Sequence, residues 1–288
     1  MEKIKVAVIG AGGKMGTRTS NNLVTKFPDQ FDVKLVETYP PAVERIEKER
    51  GLKVTPVQEA LDFADVVVFA VPDTLIKKLS AEYVPMLKPG TVFLILDPAA
   101  AVAHELTLRD DCTFGVAHPC HPSYFKWQKE EEAYLDRFGG EGGHQDIVMS
   151  CIQGDEKKFE LAQEVARCMY RAAHAFVMTS EQIAFLEPTL VEVLGAACLY
   201  AMAETVDKAV EKGIPKEAAV SFLTGHIFNL TANFLGYLPG NPPVSDACKV
   251  AIGLGNRLVL RDDWRQIWDD DVLDKVIATM LHPENPQI

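Results

Sequence analysis

Two histidines and a glutamate are the side chains of this sequence best suited to chemistry on a small polar molecule. His118 and His121 fall in the run His118-Pro119-Cys120-His121-Pro122, where prolines stiffen the loop that carries them. Two imidazoles three residues apart can chelate a divalent cation, and a carboxylate from another element is a fitting third ligand. Glu187 offers one. Pro188 follows it and cannot donate an i→i−4 bond, so a helix there should kink and aim the carboxylate. His121 and Glu187 are the expected metal ligands, with His118 as the alternative ligand, and His118 and Glu187 are catalytic candidates. The plainer readings are a histidine that caps backbone groups beside an exposed one, and a glutamate stabilised near a helix start by the dipole. His226, after Gly225, is a third catalytic candidate that a partner subunit would supply, against the reading of a satisfied core histidine. Cys120 reads as a small buried thiol.

A second constellation binds rather than reacts. The apolar run Ile4–Ile9 breaks into Gly10-Ala11-Gly12-Gly13-Lys14-Met15-Gly16, and Met15, Thr19, Leu23 and Val24 then recur at helical spacing. Strand, glycine turn and helix let the backbone approach a pyrophosphate closely, with the helix's first N–H groups and positive dipole end directed at it. Gly10, Gly13 and Gly16 give GxxGxxG, and Gly12 adds the first half of GxGxxG. About 20 residues on, the next strand ends at Glu37, where a dinucleotide-binding unit places the carboxylate that accepts hydrogen bonds from the adenosine ribose. A carboxylate there repels a 2′-phosphate, so NAD is expected over NADP, with Lys14 and Arg18 near enough to soften the preference. The expected cofactor-binding residues are Gly10, Gly12, Gly13, Lys14, Met15, Gly16 and Glu37, together with Val71, Pro72 and Asp73 at a later strand end. A tight turn without a ligand is the competing reading, and Glu37 weighs against it.

Strands alternating with helices must position both groups. Lys53–Thr55, Asp65–Pro72, Thr91–Leu96 and Thr113–Ala117 read as further strands, with helices at Val57–Phe63 and Thr74–Met86. That alternation specifies a Rossmann-type, doubly wound parallel sheet whose ligands sit beyond the strands' carboxyl ends. A long polar segment through Gly139–Gly143 and His144 reads as a flap. Ile147–Gln153 and Ala175–Met178 complete the sheet. From Thr179 the pattern turns all-helical, opening on a Thr179/Gln182 capping box. The fold expected is α/β: a dinucleotide-binding domain over 1–178 and a helical substrate and dimerisation domain over 179–288. Helices are expected at Pro215–Gly225, His226–Leu235, Ser245–Leu254 and Asp271–Leu281. The first long helix is apolar nearly all round from Leu190 to Val210 and should be buried on every side, which implies a homodimer.

Composition excludes some partners. The net charge of −12, without a lysine or arginine tract, argues against nucleic acid. The charge-free stretch Val193–Ala203 falls well short of the roughly 20 residues that span a bilayer. The six cysteines form no CxxC pair, and the N-terminus enters a strand at once, so a cytoplasmic protein with reduced thiols is expected.

These motifs resemble a known superfamily. GxxGxMG, a Val-Pro after the fourth strand, Leu87-Lys88-Pro89-Gly90-Thr91 before the fifth and an all-helical tail are similar to the 6-phosphogluconate dehydrogenase/β-hydroxyacid dehydrogenase layout, shared by ketol-acid reductoisomerases and pyrroline-5-carboxylate reductases. His118–Pro122, Thr179–Pro188 and Gly225-His226 look more like its D-apionate oxidoisomerase-like branch. The resemblance implies an NAD-dependent oxidoreductase acting on the CH–OH group of a hydroxy or sugar acid. His118 or Glu187 would take the hydroxyl proton, and a divalent cation would polarise the carbonyl during a carboxylate shift. One departure stands out. Hydroxyacid dehydrogenases of the superfamily carry a catalytic lysine early in the first long helix, whereas Glu181–Leu194 holds three glutamates and no lysine. A ketol-acid-type reductoisomerase, a simple dehydrogenase or reductase, and a non-catalytic NAD(H)-binding sensor are the other readings.

Overall fold

Short runs of valine, isoleucine and phenylalanine without alternation form the centre of a sheet covered on both faces. The computed structural model describes residues 2–240 and 242–288. Val66–Phe69 (β3) and Val92–Ile95 (β4) are buried at every position. They lie inside a seven-stranded sheet with Ile4–Ile9 (β1), Phe31–Val36 (β2), Thr113–Pro119 (β5), Gln145–Gln153 (β6) and Ala172–Val177 (β7), in the order β2-β1-β3-β4-β5-β6-β7. The pairs from β2 across to β5 are parallel. The sheet is therefore mostly, not wholly, parallel: β6 runs antiparallel to β5, and β7 parallel to β6. No full crossover helix intervenes between β5 and β6, so the chain returns from the end at which β5 finished. Lys53–Thr55, expected as a strand, contributes one isolated bridge between Leu35 and Val54.

Helices Lys14–Thr25 (α1), Pro40–Glu44 (α2), Val57–Phe63 (α3), Asp73–Tyr83 (α4) and Ala99–Val102 (α5) connect the parallel strands, and Glu131–Leu135 (α6) lies between β5 and β6. Glu156–Tyr170 (α7) buries Phe159, Ala162, Val165, Ala166 and Met169, the stripe its 3.6-residue period requires. That stripe joins Leu23 of α1 and the sheet in one core. Phe69, Phe93 and Phe114, on adjacent strands, stack with ring centroids 4.8 and 5.7 Å apart.

Contacts divide the chain into two compact units, residues 1–185 with 274–288, and Leu186–Leu273. In the first, the Thr179/Gln182 capping box forms as expected and opens Ser180–Ala184 (α8). The C-terminal segment belongs to this unit. Ile277 and Leu281 are buried, and His282 Nε2 lies 2.8 Å from Glu105 Oε1. In the second unit, π-helical turns over Phe185–Ala196 lead into Ala197–Glu211 (α9), followed by Lys216–Phe234 (α10) and Asp246–Leu258 (α11). Asp270–Leu281 (α12) closes the fold. The break expected at Gly225 does not occur, since α10 passes through it. Burial of the long helix on every side is not met within one chain either: α9 has no buried residue, and Tyr200 is 69% exposed. The helix Ser180–Glu211 is long and apolar enough by length and composition to cross a membrane, although Glu187, Glu192 and Glu204 stand along it.

The start of α7 gives a direct check on this reading of local structure. Asp155 caps it, its side chain accepting from Lys158 N at 3.0 Å. Replacing Asp155 by Ala should cost about 1 kcal/mol, seen as a lower denaturant midpoint at unchanged slope.

Candidate active site

The glycine turn is built so tightly that side chains are excluded from it. A Cβ on Gly16 would lie 2.1 Å from the Gly10 carbonyl oxygen, and Gly10 itself has φ +76°. Gly10 N and Ala11 N both donate to Val36 O at 3.0 Å, which fixes the turn to the end of β2. Gly13 precedes α1 as its N-cap and has no side chain to cap it, so the helix's first N–H groups point outward.

Glu37 closes over this turn. Its Oε2 accepts from Gly12 N at 3.0 Å, and its Oε1 accepts from Thr38 N and Tyr39 N at 2.8 and 3.0 Å. Gly10, Gly12, Gly13, Glu37, Val71 and Pro72 together line one cavity of about 330 Å³, which Tyr39 and Tyr83 also border. Asp73 begins α4 beside it. Lys14 borders a neighbouring cavity of about 620 Å³ that shares Gly12, Gly13 and Arg45 with the first. Met15 packs against the hydrophobic core. Arg45, not singled out by the sequence pattern, donates to Gly12 O at 3.0 Å and braces the turn from its other side.

His118 lies just before the end of β5 with its ring orientation fixed. Nδ1 lies 2.8 Å from the Leu96 carbonyl and 4.0 Å from Asp97 Oδ2. A carbonyl only accepts, so Nδ1–H donates to it, and Nε2 carries the lone pair that can take a proton or a metal ion. Asp97 holds its own place by accepting from Ala99 N at 2.8 Å. Parallel pairing of β4 with β5 makes the two neighbours, since Ile95 registers with Val116. The sequence pattern does not pair Asp97 with His118. The available signal was an acid directly after a buried strand, as at Glu37.

The other candidates have different surroundings. His121 is exposed, has φ +60°, and rests its ring 5.5 Å from that of Phe138. In the helical unit, Glu187 lies in the π-helical stretch, which takes in Pro188. His226, in the middle of α10, stacks on Phe222 with centroids 4.0 Å apart and places Nδ1 2.8 Å from Phe222 O. It borders a cavity of about 500 Å³ with Ser221, Gly225 and Asn229.

The segment expected to be a loose flap is fastened down. One Asp136 carboxylate accepts from the backbone N–H groups of Gly139, Gly140, Glu141, Gly142 and Gly143 at 2.8–2.9 Å. Arg18, almost fully buried in α1, donates to Gly139 O and Gln145 Oε1 at 2.7 and 2.6 Å. Burial pulls the Arg18 pKa down, and nearby Tyr170 and Asp136 partly offset this. His144 is tied through its backbone to Gln128 and through its ring to Arg171.

Comparison with known proteins follows this geometry closely. A family described as acetohydroxy acid isomeroreductase, NADPH-binding domain, matches residues 1–114. One described as phosphogluconate dehydrogenase (decarboxylating) C-term matches residues 126–281. A D-apionate oxidoisomerase from Blautia hydrogenotrophica is 74% identical over 289 residues, covering 100% of both chains. The chain belongs to the D-apionate oxidoisomerase family. A second member, from Cupriavidus necator, is 41% identical over 96% of this chain and 98% of its own. A crystal structure described as a semialdehyde dehydrogenase NAD-binding protein from Cupriavidus necator, in complex with calcium and NAD, superposes with TM-score 0.90 at 40% identity. That superposition covers 97% of this chain and 100% of the other. An archaeal NADH-preferring ketol-acid reductoisomerase, 18% identical with TM-score 0.67, shares the fold. The chain is thus an oxidoreductase with a Rossmann-type sheet and a helical C-terminal region.

Asp136 makes the fastened loop testable by pH. Desolvation pushes its pKa up, but the N–H groups of Gly143, Gly142, Glu141 and Gly139 outweigh this and bring it down to about 2, from an ordinary 3.8. A carboxylate with a depressed folded-state pKa adds stability above its unfolded pKa and loses it as pH falls through the folded one. The stability gap between wild type and Asp136→Asn should therefore be constant near neutrality and close between about pH 4 and pH 2 in parallel denaturant titrations. A gap unchanged down to pH 2 would refute the assignment.

Proposed function

We propose that this chain is an NAD-dependent oxidoisomerase of a sugar acid, D-apionate or a close relative of it. The observation that carries the reading is Glu37 seated on Gly12 N, a carboxylate placed to accept from ribose hydroxyls and to repel a 2′-phosphate. The turn fits the cofactor: it has no room for a Cβ at Gly16, and the start of α1 is uncapped by any side chain. Gly10, Gly12, Gly13, Lys14, Met15 and Gly16 would hold the diphosphate end, and Val71, Pro72 and Asp73 would border the adenosine. Bound NAD supplies the hydride acceptor.

His118 takes the hydroxyl proton at Nε2, because Nδ1–H is occupied by Leu96 O. Asp97, 4.0 Å away, favours the imidazolium that results. A second reading rests on the donor set itself. Asp97 and His118 offer a carboxylate and an imidazole, ligands that suit a divalent cation able to polarise the new carbonyl during carboxylate migration, and Glu187 would be the further ligand that the sequence pattern expects. The calcium of the Cupriavidus relative favours it. In this reading His118 takes the ligand position that the sequence pattern gave to His121, and Glu187 stands where fold-mates place a lysine. His226 would reach the substrate from a second subunit. A homodimer through the helical unit follows from its exposed apolar helices, and a cytoplasmic location fits the thiol usage.

NADH formation across a panel of sugar acids, with and without chelator, tests the activity and decides between the roles of His118. Loss of activity on chelation favours the ligand, and full retention favours the proton acceptor. Glu187→Gln should lower turnover by about 10²-fold or more while NAD affinity stays within twofold. A turnover that survives intact would remove Glu187 from the catalytic assignment. Glu37→Ala should relax discrimination against NADP, and tighter NADP than NAD binding by the wild type would contradict the cofactor assignment. Light scattering should give twice the mass of one chain, and a stable monomer would count against the dimer.

A further inference from the structure

Phe138 lies where polar groups from α1 and from the loop beyond β5 meet. Lys14 Nζ stands 4.2 Å from its ring centroid, and the Arg18 guanidinium carbon 4.4 Å from it. The His121 ring lies 5.5 Å away, centroid to centroid. Lys14 directly follows the glycine turn, whereas His121 belongs to the loop beyond β5. One aromatic ring therefore touches both the cofactor turn and the histidine loop.

The ring is held firmly. Asp136, two residues before it, gathers the five backbone N–H groups of the glycine run. Gly139 O, directly after it, accepts from buried Arg18, and Gly140 O accepts from Asn21 Nδ2 at 2.9 Å. These bonds anchor the segment to α1 at Arg18 and Asn21. Lys14, by contrast, is exposed and flexible in kind, and the ring face is what gives its ammonium a preferred position. An aromatic face attracts the ammonium without neutralising it, as a carboxylate would. The full charge thus stays at the cavity of about 620 Å³ bordered by Gly12, Gly13, Lys14 and Phe138.

We propose that Phe138 is a positioning residue for the cofactor. Its ring presents the Lys14 ammonium to the dinucleotide's diphosphate and, through the same ring, links occupancy of the glycine turn to His121. The proposal rests on the NAD reading above. A diphosphate arriving at the turn attracts Lys14, which changes what the ring packs against on the His121 side.

The experiment is NAD titration by calorimetry of the full chain as wild type, Phe138→Leu, Phe138→Tyr, Lys14→Met and the Phe138→Leu/Lys14→Met double variant. Phe138→Leu should weaken NAD about 3- to 10-fold, and Phe138→Tyr should stay within twofold. In the Lys14→Met background, Phe138→Leu should add less than twofold. The ring resonances of His121, assigned by His121→Asn, should move on NAD addition to the wild type and not move in Phe138→Leu. Equal NAD affinity in wild type and Phe138→Leu overturns the proposal. So does an undiminished effect of Phe138→Leu without Lys14, which would mark the ring as merely structural. His121 resonances that ignore saturating NAD overturn the link to the histidine loop. A wild type that does not bind NAD removes the underlying reading, a failure visible before any variant is compared.

Discussion

The close packing of Gly16 against the Gly10 carbonyl constrains much of what surrounds it. A methyl group at Gly16 would come within 2.1 Å of that oxygen, so α1 can start where it does only because no side chain intervenes. The approach sets the line of α1 over the sheet, and α1 in turn carries Arg18 into the interior. Arg18 meets Gln145 at the start of β6 and Gly139 in the fastened loop. Removing a guanidinium this deep from water is costly, and burial lowers its pKa accordingly. Its stacking on Phe138 and Tyr170 and its hydrogen bonds to two acceptors offset that cost. The glycine turn and the loop beyond β5 are thus mechanically one assembly, though more than a hundred residues of chain separate them.

The same economy appears at the strand ends. Glu37 after β2 and Asp97 after β4 both turn a carboxylate back onto backbone N–H groups, Glu37 on Gly12, Thr38 and Tyr39, Asp97 on Ala99. Each is thereby held at low conformational freedom before any ligand arrives, which reduces the entropy lost on binding. His118 is held in the same manner by Leu96 O. Preorganisation of this kind comes from backbone groups that the sheet has already ordered, so it adds little to the entropy of folding.

The sequence made local features legible and left relations between distant ones dark. The β1 run, the order of strand, glycine turn and helix, and the Thr179/Gln182 cap each rest on residues within a turn or two of one another, and all took the expected form. The reversal of β6 depends on how a long loop returns, which no periodicity encodes. Asp97 beside His118 depends on the β4–β5 register. The Gly139–Gly143 run looks loose in sequence because glycine is permissive. In the structure that permissiveness lets five successive N–H groups turn toward one carboxylate, a nest that side chains would hinder.

The helical unit is where composition and structure disagree, and the disagreement carries information. A helix apolar on all faces should be buried, yet α9 buries none of its residues and α10 buries Ala232 alone. Leu199, Tyr200, Phe222, Phe234 and Leu258 are exposed along α9, α10 and α11, and contiguous apolar surface of this kind is typical of contact faces. Such a surface needs a cover of similar composition. A membrane would cover it by length and composition, but Glu204 and Asp207 lie within the run, and each would have to enter hydrocarbon unpaired. A second copy of the unit offers the same apolar area while leaving those carboxylates room to reach water at the rim. Of the two covers, a second copy is the physically cheaper one, in keeping with the homodimer proposed above.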